Sequence, residues 1–171
     1  MSVNLDELYG IIRSPYLDVT ETEKSFQPQS LTVLDEDTAR RLKNYLGASA
    51  DIGPAETINR FNPLLWLVRI NGDLVIAAEE VVDPSNGEVC NLYNRALNNR
   101  EDKLGHPSLT EDPEFRARIA GEIRLEDGEW TISTLSGRYC RAISTKKEHL
   151  QNVVELFAHY GIVLIPLFRA R

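Results

Sequence analysis

The chain has 171 residues, 42% of them hydrophobic and 26% charged, and a net charge of −7. That length corresponds to about one domain, and the composition is typical of a globular protein rather than a disordered one. The negative charge disfavours nucleic-acid binding, and the apolar runs are far shorter than the ~20 residues of a membrane-spanning helix. We therefore expect the protein to bind neither a nucleic acid nor a membrane.

The N-terminal part, residues 1–60, has a pattern of helices and loops. Apolar residues at helical spacing predict a short opening helix that ends at Ser14-Pro15. Residues 14–30 are polar and predict a surface excursion. Acidic residues at 35–37 begin a second helix, and Gly47 is expected just past its end. Residues 48–63 return to loop chemistry.

A first hairpin is predicted at the start of the sheet core, residues 64–168. The apolar run 64–70 is followed by Asn71-Gly72, a strong hairpin signal, and by a return strand over 73–82. Both faces of this hairpin are apolar, which places it inside the fold. The predicted register pairs Val68 with Val75 and Trp66 with Ala77.

A second hairpin follows an ambiguous stretch over 88–103, for which we expect a short helix through Leu92, Ala96 and Leu97 and then a polar loop. Alternating apolar residues over 116–126 predict a strand, Asp127-Gly128 a turn, and residues 129–135 the return strand. The predicted register pairs Leu125 with Trp130, Ile123 with Ile132 and Glu122 with Ser133.

The C-terminal part predicts a helix and a closing strand. Thr145-Lys146-Lys147-Glu148 matches a capping box, and Gly161 ends the helix. Pro166 lacks a backbone donor, so the strand over 162–168 is expected at a sheet edge. We therefore predict a single α+β domain over 1–171, with a mostly antiparallel sheet of about five strands and two or three packed helices.

Standard catalytic motifs are missing from the sequence. It contains no GxxxxGK[ST], GxGxxG, HExxH or GxSxG pattern. Cys90 and Cys140 lack the spacing of a zinc site or a disulfide framework, which favours a reducing, cytoplasmic location. We expect no metal and no cofactor.

Three local features carry the remaining polar chemistry: His106 and Ser108 in a GHPSL run, Glu122 in a strand, and Ser136-Gly137-Arg138-Tyr139 after the partner strand. The Asp127-Gly128 hairpin lays these segments near one end of the sheet. His106 and Glu122 are the candidate catalytic acid–base pair, and Ser108, Ser136, Arg138 and Tyr139 are candidate ligand-binding residues.

Each feature also has a purely structural interpretation. His106 before a proline can cap a loop. Glu122 on a polar strand face can be a solvated partner of Arg124, Ser133 or Arg118. Ser136-Gly137 can be only the bend that ends a strand, with Tyr139 packed beneath it.

The order GHPSL, ARIAGEI, a DG turn, a Trp-containing strand and SGRY resembles a domain found in bacterial hypothetical proteins and in polymorphic-toxin and secreted-effector contexts. It is also similar to the core of plant IQ-motif calmodulin-binding proteins. The similarity covers about residues 64–165 and is sharpest over 105–139.

This resemblance implies a role in bacterial conflict or effector biology and brings no catalytic mechanism with it. Where many relatives have SGHY this chain has SGRY, so any chemistry of that histidine does not transfer to Arg138. No IQ motif is visible, and calmodulin binding does not transfer either.

Two functions remain open. The first is a small acidic protein-binding module of a toxin or effector system, for example an immunity-like inhibitor, whose charge steers it to a basic protein partner. The second is an enzyme-derived domain that binds a nucleotide such as NAD, with Arg138 on a phosphate and Glu122 as base or ribose-binding carboxylate.

Overall fold

The computed structural model describes residues 4–92, 95–140 and 145–169. The helices in these ranges are α1 (Leu5–Tyr9), α2 (Glu21–Ser25), α3 (Glu36–Asp51), α4 (Gly53–Asn59), α5 (Lys147–His159) and a 3-10 helix (His106–Leu109). The strands are β1 (Thr32–Val33), β2 (Leu64–Val68), β3 (Leu74–Ala78), β4 (Glu80–Asp83), β5 (Glu88–Asn91), β6 (Asp102–Leu104), β7 (Ile119–Glu126), β8 (Glu129–Ser133) and β9 (Ile165–Leu167). No helix within these ranges is long and apolar enough to cross a membrane.

The strands form two sheets. The larger has the order β1-β3-β2-β7-β8-β9, and the smaller has the order β5-β4-β6. Every pairing is antiparallel except β8 with β9, which is parallel. The predicted α+β class is therefore confirmed, but the main sheet has six strands rather than five, and the described residues form five α-helices rather than two or three.

The first hairpin forms with a register one residue away from the predicted one. The Arg69 N–H donates to the Asp73 carbonyl at 2.8 Å, so residues 70–72 make a three-residue loop. Gly72 adopts a φ of +96°, the left-handed conformation that such loops require at this position. The ladder consequently pairs Trp66 with Ile76, Leu67 with Val75 and Val68 with Leu74.

The return strand is also shorter than predicted. It ends at Ala78, and the chain crosses into the smaller sheet at Glu80. The buried Glu80 carboxylate accepts the N–H groups of Gln29 at 2.7 Å and Ser30 at 2.9 Å. This anchor satisfies a charge that a continuous strand would leave unpaired in the interior.

The second hairpin has the predicted register. Glu122 lies opposite Ser133, Ile123 opposite Ile132, and Leu125 opposite Trp130. The tight turn places Asp127 at φ +52° and Gly128 at φ +82°, both left-handed, as a two-residue Asp-Gly turn requires. The regular ladder begins only at Ile119, and Ala117 instead forms an isolated bridge with Arg13.

The N-terminal part contains more helix than predicted. The polar excursion holds α2, which begins at a capping box in which Thr20 and Glu23 satisfy each other's backbone N–H groups. Helix α3 continues through Gly47 to Asp51, since burial of Leu46 and Ser49 offsets the ~1 kcal/mol propensity cost of glycine. Helix α4 then forms within the predicted loop, with a proline in its first turn.

The helix expected within 88–103 is wrong. Residues 88–91 and 102–104 are instead the two edge strands of the smaller sheet, and residues 95–98 have no regular structure. Tyr93 and Asn94, also within that prediction, lie outside the described residues.

The C-terminal helix and strand differ from prediction only in detail. Helix α5 is capped by Lys146 rather than Thr145, and the Lys146 N–H lies 3.4 Å from the His149 Nδ1 that accepts it. Gly161 follows the helix with φ +72°, as predicted. Strand β9 contains Pro166 and lies at the edge of the larger sheet, which confirms the edge prediction.

Both faces of the larger sheet are buried. On one face α3 and α5 pack against β2, β7 and β8 around the fully buried side chains of Trp66 and Phe157. On the other face a smaller core forms under the 3-10 helix and the Ser136–Tyr139 turn, with Leu109 and Tyr139 at its centre. The N-terminal part therefore shares a core with the sheet, and the second face carries the predicted site residues.

Candidate functional site

The GHPSL segment forms the 3-10 helix that covers the second face. Pro107 occupies its first turn, where a missing N–H costs nothing. The Ser108 hydroxyl donates to the Gly105 carbonyl at 2.7 Å, and all four residues from His106 to Leu109 are buried. Contacts with β2, β3 and α2 fix the segment, so the His106 ring points into the protein.

Both ring nitrogens of His106 have partners. Nε2 lies 2.9 Å from the Gly121 carbonyl, which can only accept, so Nε2 carries the proton. Nδ1 lies 3.3 Å from the Ser136 hydroxyl and accepts its hydrogen. Burial lowers the pKa of His106 below its ordinary value. The ring is thus a neutral link between strand β7 and the turn after β8.

Ser136 organises that turn. Its Oγ accepts the N–H groups of Arg138 at 3.4 Å and Tyr139 at 3.3 Å while it donates to His106. The Tyr139 hydroxyl donates to the Phe115 carbonyl at 2.5 Å, and the ring is fully buried. Burial raises the pKa of Tyr139. The SGRY motif is therefore a side-chain-stabilised bend with a phenol locked beneath it.

Gly121 has a steric role. A Cβ added at this position would lie 1.8 Å from the Ser133 carbonyl oxygen and 2.9 Å from Cζ2 of Trp66. The Trp66 indole N–H donates to the same Ser133 carbonyl at 3.2 Å. Only glycine leaves room for the indole to lie across β7 and reach this carbonyl.

Arg138 forms an ion pair with Glu23. The sequence predicted no such partner for Arg138. Its Nη2 lies 3.0 Å and 3.3 Å from the two carboxylate oxygens, and its Nη1 donates to the carbonyls of Asp18 at 2.7 Å and Leu17 at 3.3 Å. A Cβ on Gly105 would lie only 2.7 Å from Glu23 Oε1. The arginine thus ties α2 and the excursion to the second face of the sheet.

Glu122 lies on β7 and pairs with Arg124, two residues along the same strand. The Arg124 Nε and Nη2 atoms both lie 2.7 Å from Glu122 Oε2. Lys103 on β6 makes a similar pair with Glu79, at 3.2 Å. Arg124 and Glu122 belong to the larger sheet and Lys103 to the smaller one, and both pairs line one cavity.

The cavity is a cleft of about 670 Å³ between the two sheets. Three of the predicted site residues, His106, Glu122 and Arg138, line it, whereas Ser108, Ser136 and Tyr139 are buried behind its wall. The wall also contains Gly105, Arg124 and Gly137, which belong to or adjoin the predicted motifs, and residues that sequence reasoning missed: Thr20, Glu23, Leu65, Glu79, Leu97, Glu101, Asp102, Lys103 and Leu135. The three motifs therefore do meet in one region of the structure. Most of their polar groups are hydrogen-bonded to one another or to the backbone and form one wall of the cleft, instead of being exposed around it.

A sequence signal existed for two of the missed residues, Thr20 and Glu23. Residues 20–23 form a capping box, a pattern that predicts the start of α2 and places the Glu23 carboxylate beside it. Leu97 belongs to the helix that was wrongly expected, and Glu101 and Lys103 to the polar loop predicted after it. Among the described residues, no group of three His, Cys, Asp or Glu side chains is arranged to hold a metal ion.

The chemistry open to this site follows from these contacts. Ser136 and His106 form a hydroxyl–imidazole pair of the kind that activates nucleophiles, but the third partner is a neutral carbonyl and Ser136 is only 3% exposed. The charged side chains on the cleft wall, by contrast, reach the cavity.

Comparison with known proteins adds no assignment: no family, curated protein or solved structure matches this chain. The resemblance to toxin- and effector-associated domains and to IQ-motif proteins stays a prediction.

Proposed function

We propose that this chain is a binding module and that its ligand occupies the cleft between the two sheets. The observation that carries this proposal is the internal use of the candidate catalytic groups. Both nitrogens of His106, the Ser136 hydroxyl and the Tyr139 hydroxyl are all engaged within the protein. A proton transfer through any of these groups would first require the hydrogen bonds that hold the cleft wall together to break.

The dimensions of the cleft support the same proposal. Small-molecule sites usually enclose about 300–1,000 Å³ and combine apolar contact with a few polar groups. The cleft of about 670 Å³ has that size, and Leu97 supplies an exposed apolar side chain at its mouth. The nucleotide-binding alternative would need Arg138 for a phosphate, but both terminal nitrogens of Arg138 already donate, one to Glu23 and the other to the carbonyls of Leu17 and Asp18.

The experiment is to fill the cleft. Gly137 lines it, and a Cβ added there meets no atom within 4 Å, so we expect Gly137→Phe to be tolerated and to fill part of the cavity. Gly47→Phe on exposed α3 is the matched control, since it is equally free of neighbours. The purified proteins are compared by native mass spectrometry and by thermal shift against a metabolite panel. We expect ligands of the wild type and of the control to be lost from Gly137→Phe; equal binding by all three proteins would overturn the proposal.

A second candidate is a protein-binding module of a toxin or effector system, and one observation favours it. Ile52, Ile58 and Phe61 are each more than half exposed around α4, on a chain of net charge −7. Apolar side chains in an acidic surface suit a basic protein partner such as a toxin. Asp substitutions at Ile58 and Phe61 should abolish capture of that partner in a pull-down with neighbouring gene products, and unchanged capture would contradict it.

A further inference from the structure

The ion pairs around the cleft share one orientation. In each of them the cation is more exposed than its carboxylate, which stands behind it. The side-chain exposures are 45% and 23% for Lys103 and Glu79, 35% and 14% for Arg124 and Glu122, 20% and 3% for Arg138 and Glu23, and 41% and 8% for Arg95 and Glu101.

Ion pairs elsewhere in the described residues are mixed. Arg40–Asp37 and Arg116–Asp112 have the same orientation as the cleft pairs, whereas two buried arginines have the reverse one. Arg69 is 7% exposed beside a Glu111 that is 73% exposed, and Arg118 is 7% exposed beside an Asp6 that is 58% exposed. At the cleft the carboxylates are less exposed than their cations and hold the cationic groups toward the cavity. A ligand that enters meets donors before it meets acceptors.

Asp102 breaks the pattern. It lines the cleft and is exposed, and it forms no ion pair within the described part of the chain; its carboxylate accepts the Thr22 hydroxyl at 2.6 Å. The wall thus combines held cations with one uncompensated carboxylate beside them. A purely anionic ligand would be repelled by the Asp102 carboxylate, and a purely cationic ligand would be repelled by Lys103 and Arg124.

We propose that the cleft binds a small zwitterion of the amino-acid type, with a free carboxylate and a free ammonium group. Lys103 and Arg124 bind the carboxylate from opposite sheets, Asp102 binds the ammonium group, and Leu97 covers an apolar side chain. The proposal rests on the proposed function, because it assumes that the cleft is the binding site.

The donors needed for the carboxylate are present. Arg124 uses Nε and Nη2 on Glu122, which leaves part of its five-donor guanidinium for a ligand. Lys103 has three N–H donors and gives one to Glu79. Since both side chains are already held by ion pairs, a ligand immobilises little further side-chain freedom when it binds.

The test uses one dipeptide, Leu-Leu, in four forms: free, N-acetylated, C-amidated and blocked at both ends. Calorimetric titration of the full chain should rank the free form first, with each block weakening binding about tenfold, the value of one charge-assisted contact. Equal affinity of the free and doubly blocked forms, or no binding of the free form at millimolar concentration, would overturn the proposal.

Variants assign each end of the ligand. Lys103→Gln should weaken binding of the free and N-acetylated forms about tenfold and leave the amidated form within about twofold. Asp102→Asn should do the reverse, affecting only forms with a free amine. Arg40→Gln and Asp37→Asn, an exposed pair on α3, are the matched controls and should change nothing.

The outcomes separate this inference from the proposed function. Should Gly137→Phe abolish binding of some other ligand while all four dipeptides fail, the cleft is a binding site and only the zwitterion is wrong. Should the free dipeptide bind Gly137→Phe as tightly as the wild type, the cleft is not the site, and both proposals fall.

Discussion

On one face of the larger sheet, α3 and α5 bury a continuous apolar core around Trp66 and Phe157. On the other, a short 3-10 helix, a turn and the polar excursion are held by specific contacts, among them the His106 links and the Arg138–Glu23 pair. Apolar packing depends on volume and shape, whereas the second face depends on the position of individual donors and acceptors. The cleft opens on the side where the protein is assembled from polar contacts.

The largest expected effect tests the shape dependence of the helix-covered face. In Gly121→Ala the new methyl group would overlap the Ser133 carbonyl, which belongs to the backbone and cannot turn aside. We expect a loss of more than about 4 kcal/mol in the free energy of unfolding by urea, or no folding at all.

Gly137→Ala provides the control, since an added Cβ there meets nothing within 4 Å. It should stay within about 0.5 kcal/mol of the wild type. A Gly121→Ala protein as stable as Gly137→Ala would mean that β7 and β8 can move apart without loss of stability. That result would contradict the shape dependence of the helix-covered face.

A smaller effect is expected where the second face relies on charge. Glu23→Gln removes the partner of Arg138, and we expect a loss of about 2 kcal/mol, less than for a fully buried pair because Arg138 is 20% exposed. A double-mutant cycle with Arg138→Gln in urea unfolding should give a coupling of at least about 1 kcal/mol.

The same helix contains the matched control. Glu21 pairs with Lys24 at the surface, and Glu21→Gln should change stability by less than about 0.5 kcal/mol. If the two glutamine variants were equally stable, the excursion would be held by something other than Arg138, and the contrast between the faces would weaken.

The smallest effect concerns pH. Burial lowers the pKa of His106 on the second face and, together with Lys146 and Arg13, that of His149 on α5. The folded state therefore binds protons less readily than the unfolded chain. Stability should be level above the ordinary pKa of 6.5 and fall as the pH drops from there toward the lowered values.

The measurement is urea unfolding across that range, with the imidazole signals followed by NMR in the folded protein. Resonances of His106 and His149 should still report neutral rings where a free histidine is half protonated. A His106 ring that titrates at or above 6.5 would show that solvent reaches it, and the internal-link interpretation would fail.

Local signals predicted the parts of the fold that depend on nearby residues. Asp127-Gly128 fixes the second hairpin and its register, because a two-residue turn leaves one way to pair the strands. Asn71-Gly72 correctly predicted a hairpin, but the predicted register was wrong by one residue, because Gly72 suits a two-residue and a three-residue loop equally well. Helix α3 passed its expected end because burial of its own later residues outweighed one glycine.

The candidate site was predictable in location and not in detail. The second hairpin brings Glu122 and the SGRY turn together, and this much follows from the sequence. The partners that occupy His106, Tyr139 and Arg138 are mostly backbone carbonyls, of Gly121, Phe115, Leu17 and Asp18. Since every residue carries a carbonyl, no residue type marks those partners in advance.

The parallel strand β9 has a consequence for how the chain is made. β8 is paired on one side by β7 and on the other only by residues 165–167. During synthesis on the ribosome, the hairpin can form as soon as residue 133 has emerged, but its outer edge stays open until more than thirty further residues have followed. Over that interval β8 is a template for intermolecular pairing, so slow translation or early release of the nascent chain should favour aggregation.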